Sequence, residues 1–380
     1  EPRTKEVTRS TEQSFAQVPR APARLLSRRN MMIGLGLGVL GTAATLGGLG
    51  YVLSRSRSPA PLFFASIYAV AWSPDGKLIA SGSSDGIEVK NAVTATPLFS
   101  SNDSPKDDSL GWTNVLWSPD SKQILATRGR QLIVLDATTG KKVFPRQIDH
   151  FPGSYKSFDW SPDGKQIVLL DQTDGAYTVS LITIATSEEI KLKQGAFSNG
   201  YGMHAVTWLP NGKQIALAGT RDNHLAIWTV ERATGEEIRI YQGFYVYDIH
   251  GVTKVRWSPD GKRVALATYA GTITKEPDGS LKGDHYTYTV QVIDMLTGQE
   301  ISTYQGHTKQ IFLLAWSPDG KRIASGGEDQ TLHIWDASTG KQISVSQSYS
   351  RTLYAAAWSP DGKQIALGGE HLTLDIKQAP

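Results

Sequence analysis

A tryptophan followed by a tight turn is written seven times along this chain, and that recurrence constrains its fold more than any other feature. Trp72, Trp117, Trp160, Trp208, Trp257, Trp316 and Trp358 are separated by 45, 43, 48, 49, 59 and 42 residues. Each is followed by Ser-Pro-Asp-Gly-Lys or a near copy, the variants being Ser-Pro-Asp-Ser-Lys at 118–122 and Leu-Pro-Asn-Gly-Lys at 209–213. Pro presets φ for a β-turn, Asp or Asn tolerates the following position, and Gly supplies a positive φ. Apolar alternation on either side marks half-buried strands. In the sixth repeat, 311–316 and 322–327 flank the turn, and 331–337 and 341–347 follow as a third and a fourth strand. A period of roughly 40–50 residues is that of a unit too small to bury its own apolar face, so it must stack against copies of itself.

The sixth repeat, GHTKQIFLLAWSPDGKRIASGGEDQTLHIWDASTGK at 306–341, resembles a complete WD40 repeat, from its Gly-His start to its Trp-Asp. The other six resemble the Trp-turn-strand portion of one. The resemblance covers about residues 60–380 and implies an all-β fold, a seven-bladed β-propeller of four-stranded antiparallel blades, of bacterial type. The last repeat stops after three strands, and the first is preceded by a short apolar stretch, PLFFAS at 61–66. That stretch is expected to supply the outermost strand of the last blade and remove an open sheet edge. The resemblance also implies a structural tetrad of His307, Ser325, Asp329 and Trp335, a buried network and not a catalytic triad. Elsewhere the tetrad has decayed: Asn199 stands in the His position of the fourth repeat, and Lys90 and Lys377 stand in the Trp positions of the first and last.

The net charge of +3 hides an asymmetry. Residues 1–58 carry nine Lys/Arg and three Asp/Glu, whereas the remainder carries thirty basic and thirty-three acidic residues. The repeat region therefore has no basic excess of the kind nucleic acid requires, and no nucleic-acid partner is expected. Residues 31–53 form a 23-residue stretch without a charge, about 34 Å long as a helix and enough for a bilayer core of about 30 Å. Seven glycines would make it a poor soluble helix. It reads as a transmembrane or signal-anchor helix, with 1–30 a disordered basic segment, 54–60 a linker and 61–380 the propeller. Arg20, Arg24, Arg28 and Arg29 outweigh Arg55 and Arg57, which places the N-terminus in the cytoplasm and the propeller outside it. Ser27–Met32 also resembles a twin-arginine export signal, so the propeller is either membrane-anchored and extracytoplasmic or exported after cleavage.

Catalytic and metal signatures are not found. The chain has no cysteine, which excludes disulfides and thiolate chemistry. Gly-Ser-Ser-Asp-Gly at 82–86 matches a nucleophile-elbow pattern but falls between two strands rather than between a strand and a helix. The eight histidines show no metal-ligand spacing, and no cofactor is expected. Departures from the repeat concentrate in the inter-blade segments and in 271–287 of the fifth repeat, read as a long loop. Trp112, Phe151, Tyr155, Phe197, Tyr201, Tyr245, Tyr247, His250, His285 and Tyr286 lie there and form the expected binding face for a protein or peptide partner. The expected role is a non-catalytic interaction or ligand-binding propeller. Two alternatives are the extracytoplasmic sensor of a larger receptor, such as a eukaryotic-like Ser/Thr kinase, and a propeller hydrolase or lyase.

Overall fold

The structure, a computed structural model, describes residues 65–101, 114–128, 131–143, 154–173, 176–196, 202–221, 224–245, 250–275, 281–346, 348–371 and 374–380. The chain divides into two units, Glu1–Ala60 and Pro61–Pro380, and every described residue belongs to the second. The 31–53 helix, its flanking segments and residues 61–64 of the expected closing strand lie outside the described residues. No helix among the described residues is long and apolar enough to cross a membrane.

Seven antiparallel meander sheets follow one another along the chain, the blades of a seven-bladed β-propeller. Their described strands run from Ile67 to Ser101 in blade 1, Asn114 to Asp136 in blade 2, Ser154 to Ala196 in blade 3 and Met203 to Tyr245 in blade 4. Blade 5 runs from His250 to His307, blade 6 from Ile311 to Val345 and blade 7 from Leu353 to Gln378. Blades 1, 3, 4, 5 and 6 show four strands; blades 2 and 7 show three among the described residues. The first strand of each blade, which ends at the repeated Trp, is the innermost.

The Trp-Ser-Pro-Asp-Gly-Lys turn is held by more than Pro and Gly. In blade 6 the Ser317 hydroxyl donates to Asp319 Oδ1 at 2.5 Å and accepts the Arg322 N–H at 2.9 Å, while Asp319 Oδ1 accepts the Lys321 N–H at 3.0 Å. The same set recurs at Ser73, Ser118, Ser161, Ser258 and Ser359. Because the buried serine donates to the ionised form, it holds the carboxyls of Asp75, Asp120, Asp163, Asp319 and Asp361 below their ordinary range. Blade 4 has Leu209 in place of the serine, and Asn211 Oδ1 alone takes the N–H groups of Lys213 and Gln214.

Blades cohere because their faces are apolar and each is covered by the next. Seven clusters of buried side chains sit one at each interface between neighbouring blades. The last joins Ile67, Trp72 and Ile79 of blade 1 to Ala355 and Ala366 of blade 7, so the ring closes. The His371 N–H, donated to Ser66 Oγ at 3.3 Å, ties the last blade to the start of the first. Polar stitches cross the same interfaces. The indole N–H groups of Trp117, Trp316 and Trp358 donate at 3.0 Å to the carbonyls of Ala71, Arg256 and Ala315 in the preceding blade.

Candidate functional site

Three places hold polar or exposed groups that the repeat does not explain. The first lies where the outer strand of blade 5 meets blade 6. The Trp335 indole donates to Ser325 Oγ at 3.1 Å, Ser325 Oγ lies 2.8 Å from His307 Nε2, and His307 Nδ1 lies 2.6 Å from Asp329 Oδ2. The carboxylate accepts only, so His307 donates to it through Nδ1. A second chain runs in parallel: Tyr304 Oη lies 2.5 Å from His333 Nδ1 and donates to Gln342 Oε1 at 3.0 Å, His333 Nε2 lies 2.8 Å from Thr331 Oγ1, and Thr331 donates to Asp329 Oδ1 at 2.9 Å. Tyr304 stacks on Trp335 with centroids 5.2 Å apart and planes at 6°.

Asp329 thus ends both chains. Burial works to raise its pKa, but the hydrogen bonds from His307 and Thr331 prevail and hold it at about 2. Burial, with His307 alongside, brings His333 down to about 4, and burial pushes Tyr304 up to about 12. The ligand atoms of His307, Asp329 and His333 lie within 4.8 Å of one another. All four ring nitrogens are engaged in the two chains, and Ser325 is fully buried, so neither a metal ligand set nor a nucleophile open to substrate is presented. Tyr304, Thr331 and His333 had no signal in the sequence, because their membership depends on which side chains meet across three strands.

The second place is the end of the propeller opposite the repeated turns. In a four-stranded meander the connections between second and third strands and between blades fall at one end. Residues 271–275 and 281–287, read above as parts of a loop, form instead paired antiparallel strands: Thr272 pairs with Asp284, Ile273 with Gly283, Thr274 with Lys282 and Lys275 with Leu281. Alternating Thr and Ile on one arm and Tyr and Thr on the other let the blade's second and third strands continue past its other edges. Tyr286 is 41% exposed, with its ring beside Tyr269 and Tyr288 at 6.2 and 6.5 Å. It lies over Gly271, where a Cβ would come within 2.8 Å of the ring, the cross-strand cover that an aromatic gives a glycine. His285 beside it is exposed at φ 53°. Tyr155, Tyr245 and His250 fall in strands rather than loops, with side chains outside the described set. Trp112, Phe151, Phe197, Tyr201 and Tyr247 lie outside the described residues.

The third place is the central channel, a cavity of about 570 Å³ between the innermost strands. The residue just before each repeated Trp lines it. Four of these are aliphatic, Ala71, Leu116, Ala315 and Ala357, and three consecutive blades carry Asp159, Thr207 and Arg256. Asp159 is spoken for: Oδ2 accepts from the Thr207 hydroxyl and from the Trp208 N–H at 3.0 Å, and Oδ1 from the Trp160 N–H at 2.9 Å. Burial nevertheless raises its pKa to about 6, against those hydrogen bonds. Arg256 spends one N–H on the Val255 carbonyl at 2.9 Å. Its side chain is exposed to the channel; partial removal from solvent lowers its pKa, opposed by the charge of Asp159. Lys254, two residues earlier, is brought down to about 7 by burial and then by Arg256.

One end of the channel has a built rim. In six blades the innermost strand carries a β-bulge four residues before the Trp, and a bulge re-aims its extra side chain. Three of these residues meet: Tyr68 stacks on Tyr354 at 5.5 Å, and Phe312 leans on Tyr354 at 6.1 Å. By their place early in the strand, they lie at the inter-blade end.

Comparison with known proteins agrees with this architecture. The family described as WD domain, G-beta repeat matches residues 63–87 and 298–336, the first repeat and the one with the intact network. The chain carries WD40 repeats arranged as a seven-bladed β-propeller. It is similar to coronin-7 of Mus musculus, 49% identical over 49 residues, which are 13% of this chain and 5% of that protein. It is also similar to cell division cycle 20.6, cofactor of APC complex, of Arabidopsis thaliana, 53% identical over 34 residues, or 9% of this chain and 8% of the other. The matches thus span a small part of these relatives. Hydrazine synthase of Kuenenia stuttgartiensis superposes with a TM-score of 0.67 at 14% identity, covering 87% of this chain and 99% of that one. At that identity the likeness is one of fold alone.

Proposed function

We propose that this protein is an interaction platform, tethered to or exported across a membrane, whose propeller binds a protein or peptide partner and catalyses nothing itself. The observation that carries this reading is the long strand pair of blade 5, an extension of the scaffold at the inter-blade end that presents exposed Tyr286 and His285. A rigid blade edge with an aromatic anchor lowers the entropy cost of binding, and WD40-type propellers as a class serve mostly as partner-binding scaffolds. Support for the membrane part comes from the uncharged stretch 31–53 and the arginine excess before it. The test is cross-linked capture by the full chain in its own cells, with wild type and a His285→Ala, Tyr286→Ala double variant. Capture of the main partner is expected to fall by roughly tenfold or more with an unchanged melting temperature. Undiminished capture overturns the reading of this face. Protease added to intact cells is expected to reach the propeller, and full protection overturns the export reading.

A further inference from the structure

The central channel contains an arrangement that no structural need explains. Among its charged and hydroxyl lining residues, Ser157 exchanges hydrogen bonds with the N–H and C=O of Val206 at 3.1 and 3.2 Å, and Asp159 accepts the three described above. Lys254 and Arg256 are the exceptions. Neither makes an ion pair among the described residues, Lys254 has no hydrogen-bond partner there, and Arg256 has only the carbonyl of its own neighbour. Half-buried Lys254 and exposed Arg256 stand side by side on the channel wall and repel one another, with only the charge of Asp159 opposing, an arrangement that folding alone disfavours. The strand could carry Ala or Leu at both positions, as blades 6 and 7 do at Leu313, Ala315, Ala355 and Ala357.

We propose that the channel is a binding site for a small organic monocarboxylate, the carboxylate held between Lys254 and Arg256 and the carbon body laid against the aliphatic wall and the Tyr68–Tyr354 rim. Charge selects the monoanion. With Lys254 and Arg256 protonated and Asp159 ionised, the three groups sum to a single positive charge, which one carboxylate neutralises; a phosphate dianion would leave excess negative charge beside Asp159. Geometry agrees, since the planar guanidinium fork matches a carboxylate and the ammonium adds a point charge. The rest of the wall offers carbon to carbon through Ala71, Leu116, Ala315 and Ala357, and the stacked tyrosines at the inter-blade end offer a face for an aromatic or flat acyl body. The volume of about 570 Å³ suits one small molecule. This site is independent of the partner face proposed above.

The test is calorimetric titration of the full chain with benzoate, benzamide and inorganic phosphate, in a buffer whose own anion is too bulky for the cavity. Benzoate is expected to bind once per chain with Kd below about 1 mM, and benzamide, its neutral counterpart, at least roughly tenfold more weakly. Arg256→Met and Lys254→Met are each expected to weaken benzoate by about tenfold or more while melting no lower than wild type, since each removes an enclosed charge. Arg256→Lys, should Arg256→Met fail to fold, is expected to lose affinity through loss of the fork. No saturable benzoate binding, equal binding of benzamide, tighter binding of phosphate, or benzoate binding indifferent to the substitutions overturns the proposal.

Discussion

Blade 6 and the channel face of blade 5 are neighbours in the ring and treat buried polar groups in opposite ways. Where blade 6 meets the outer strand of blade 5, every ring nitrogen of His307 and His333 has a partner, and both chains end on one carboxylate held at about 2. In blade 5 Lys254 and Arg256 share a cavity with a carboxylate already bound by Thr207 and Trp208, and burial lowers the pKa of both cations. Satisfied networks stabilise and specify a fold, whereas unpaired charges destabilise it. The contrast separates a structural polar cluster from a ligand-shaped one within a single repeated scaffold.

The largest expected effect lies in blade 6. Asp329→Ala removes the common acceptor, orphaning His307 and Thr331, and is expected to destabilise the propeller by about 3 kcal/mol in denaturant titration. A loss below roughly 1 kcal/mol would show that the two chains do not act as one network. Acid should reach the same residues. Asp329 titrates at about 2 in the fold and 3.8 as a free carboxyl, so its contribution is full above 3.8 and lost as pH falls towards 2. His333 titrates at about 4 against 6.5, so stability falls with pH between 6.5 and 4 as the unfolded chain takes up the proton first.

An intermediate effect is expected from the repeated turn. Ser317→Ala leaves Asp319 with the Lys321 N–H alone and the Arg322 N–H without its acceptor, a loss of about 1–2 kcal/mol. In blade 4 the reverse change, Leu209→Ser with Asn211→Asp, completes a set that the chain lacks there and is expected to add about 0.5–1 kcal/mol. If both variants leave the melt unchanged, the buried serine has been assigned too much.

The channel should respond with the opposite sign and a smaller size. Lys254→Met is expected to stabilise the protein by about 1 kcal/mol at pH 7, channel water having screened part of the charge. A lysine that titrates at about 7 in the fold and 10.5 when unfolded disfavours the fold while charged, so wild-type stability should rise with pH between those values. Asp159, raised from 3.8 to about 6, makes stability fall as pH rises through that interval. The channel therefore weighs most on the fold near pH 6–7. A flat wild-type profile above pH 7, or one that Lys254→Met leaves unaltered, would remove the distinction between the two regions.

The repeated Trp and its turn made the fold legible because their chemistry is local: a Pro, an Asp and a Gly within four residues decide the geometry wherever they stand. The blade 6 residues were legible only as far as motif positions extend. His307, Ser325, Asp329 and Trp335 lie where the resemblance puts them, while Tyr304 joins from the outer strand of blade 5 and His333 from a position on the third strand of blade 6 that the motif does not mark. Residues 271–275 and 281–287 were misread because the Gly, Asp and Lys content of that segment suits a loop, whereas cross-strand pairing decided their structure. The channel charges were on the page, one and three residues before Trp257, where the repeat otherwise prefers small or aliphatic side chains. Their meaning depended on which strand is innermost, and only the assembled ring supplies that.

The most direct measurement is the titration of Lys254 itself, by reductive 13C-methylation of the full chain and NMR of the dimethylamino signal, assigned with Lys254→Met. A midpoint near 7 in the free protein, moving up by about one unit or more on saturation with benzoate, is the result the account predicts. A midpoint near 10.5, unmoved by benzoate, would contradict it.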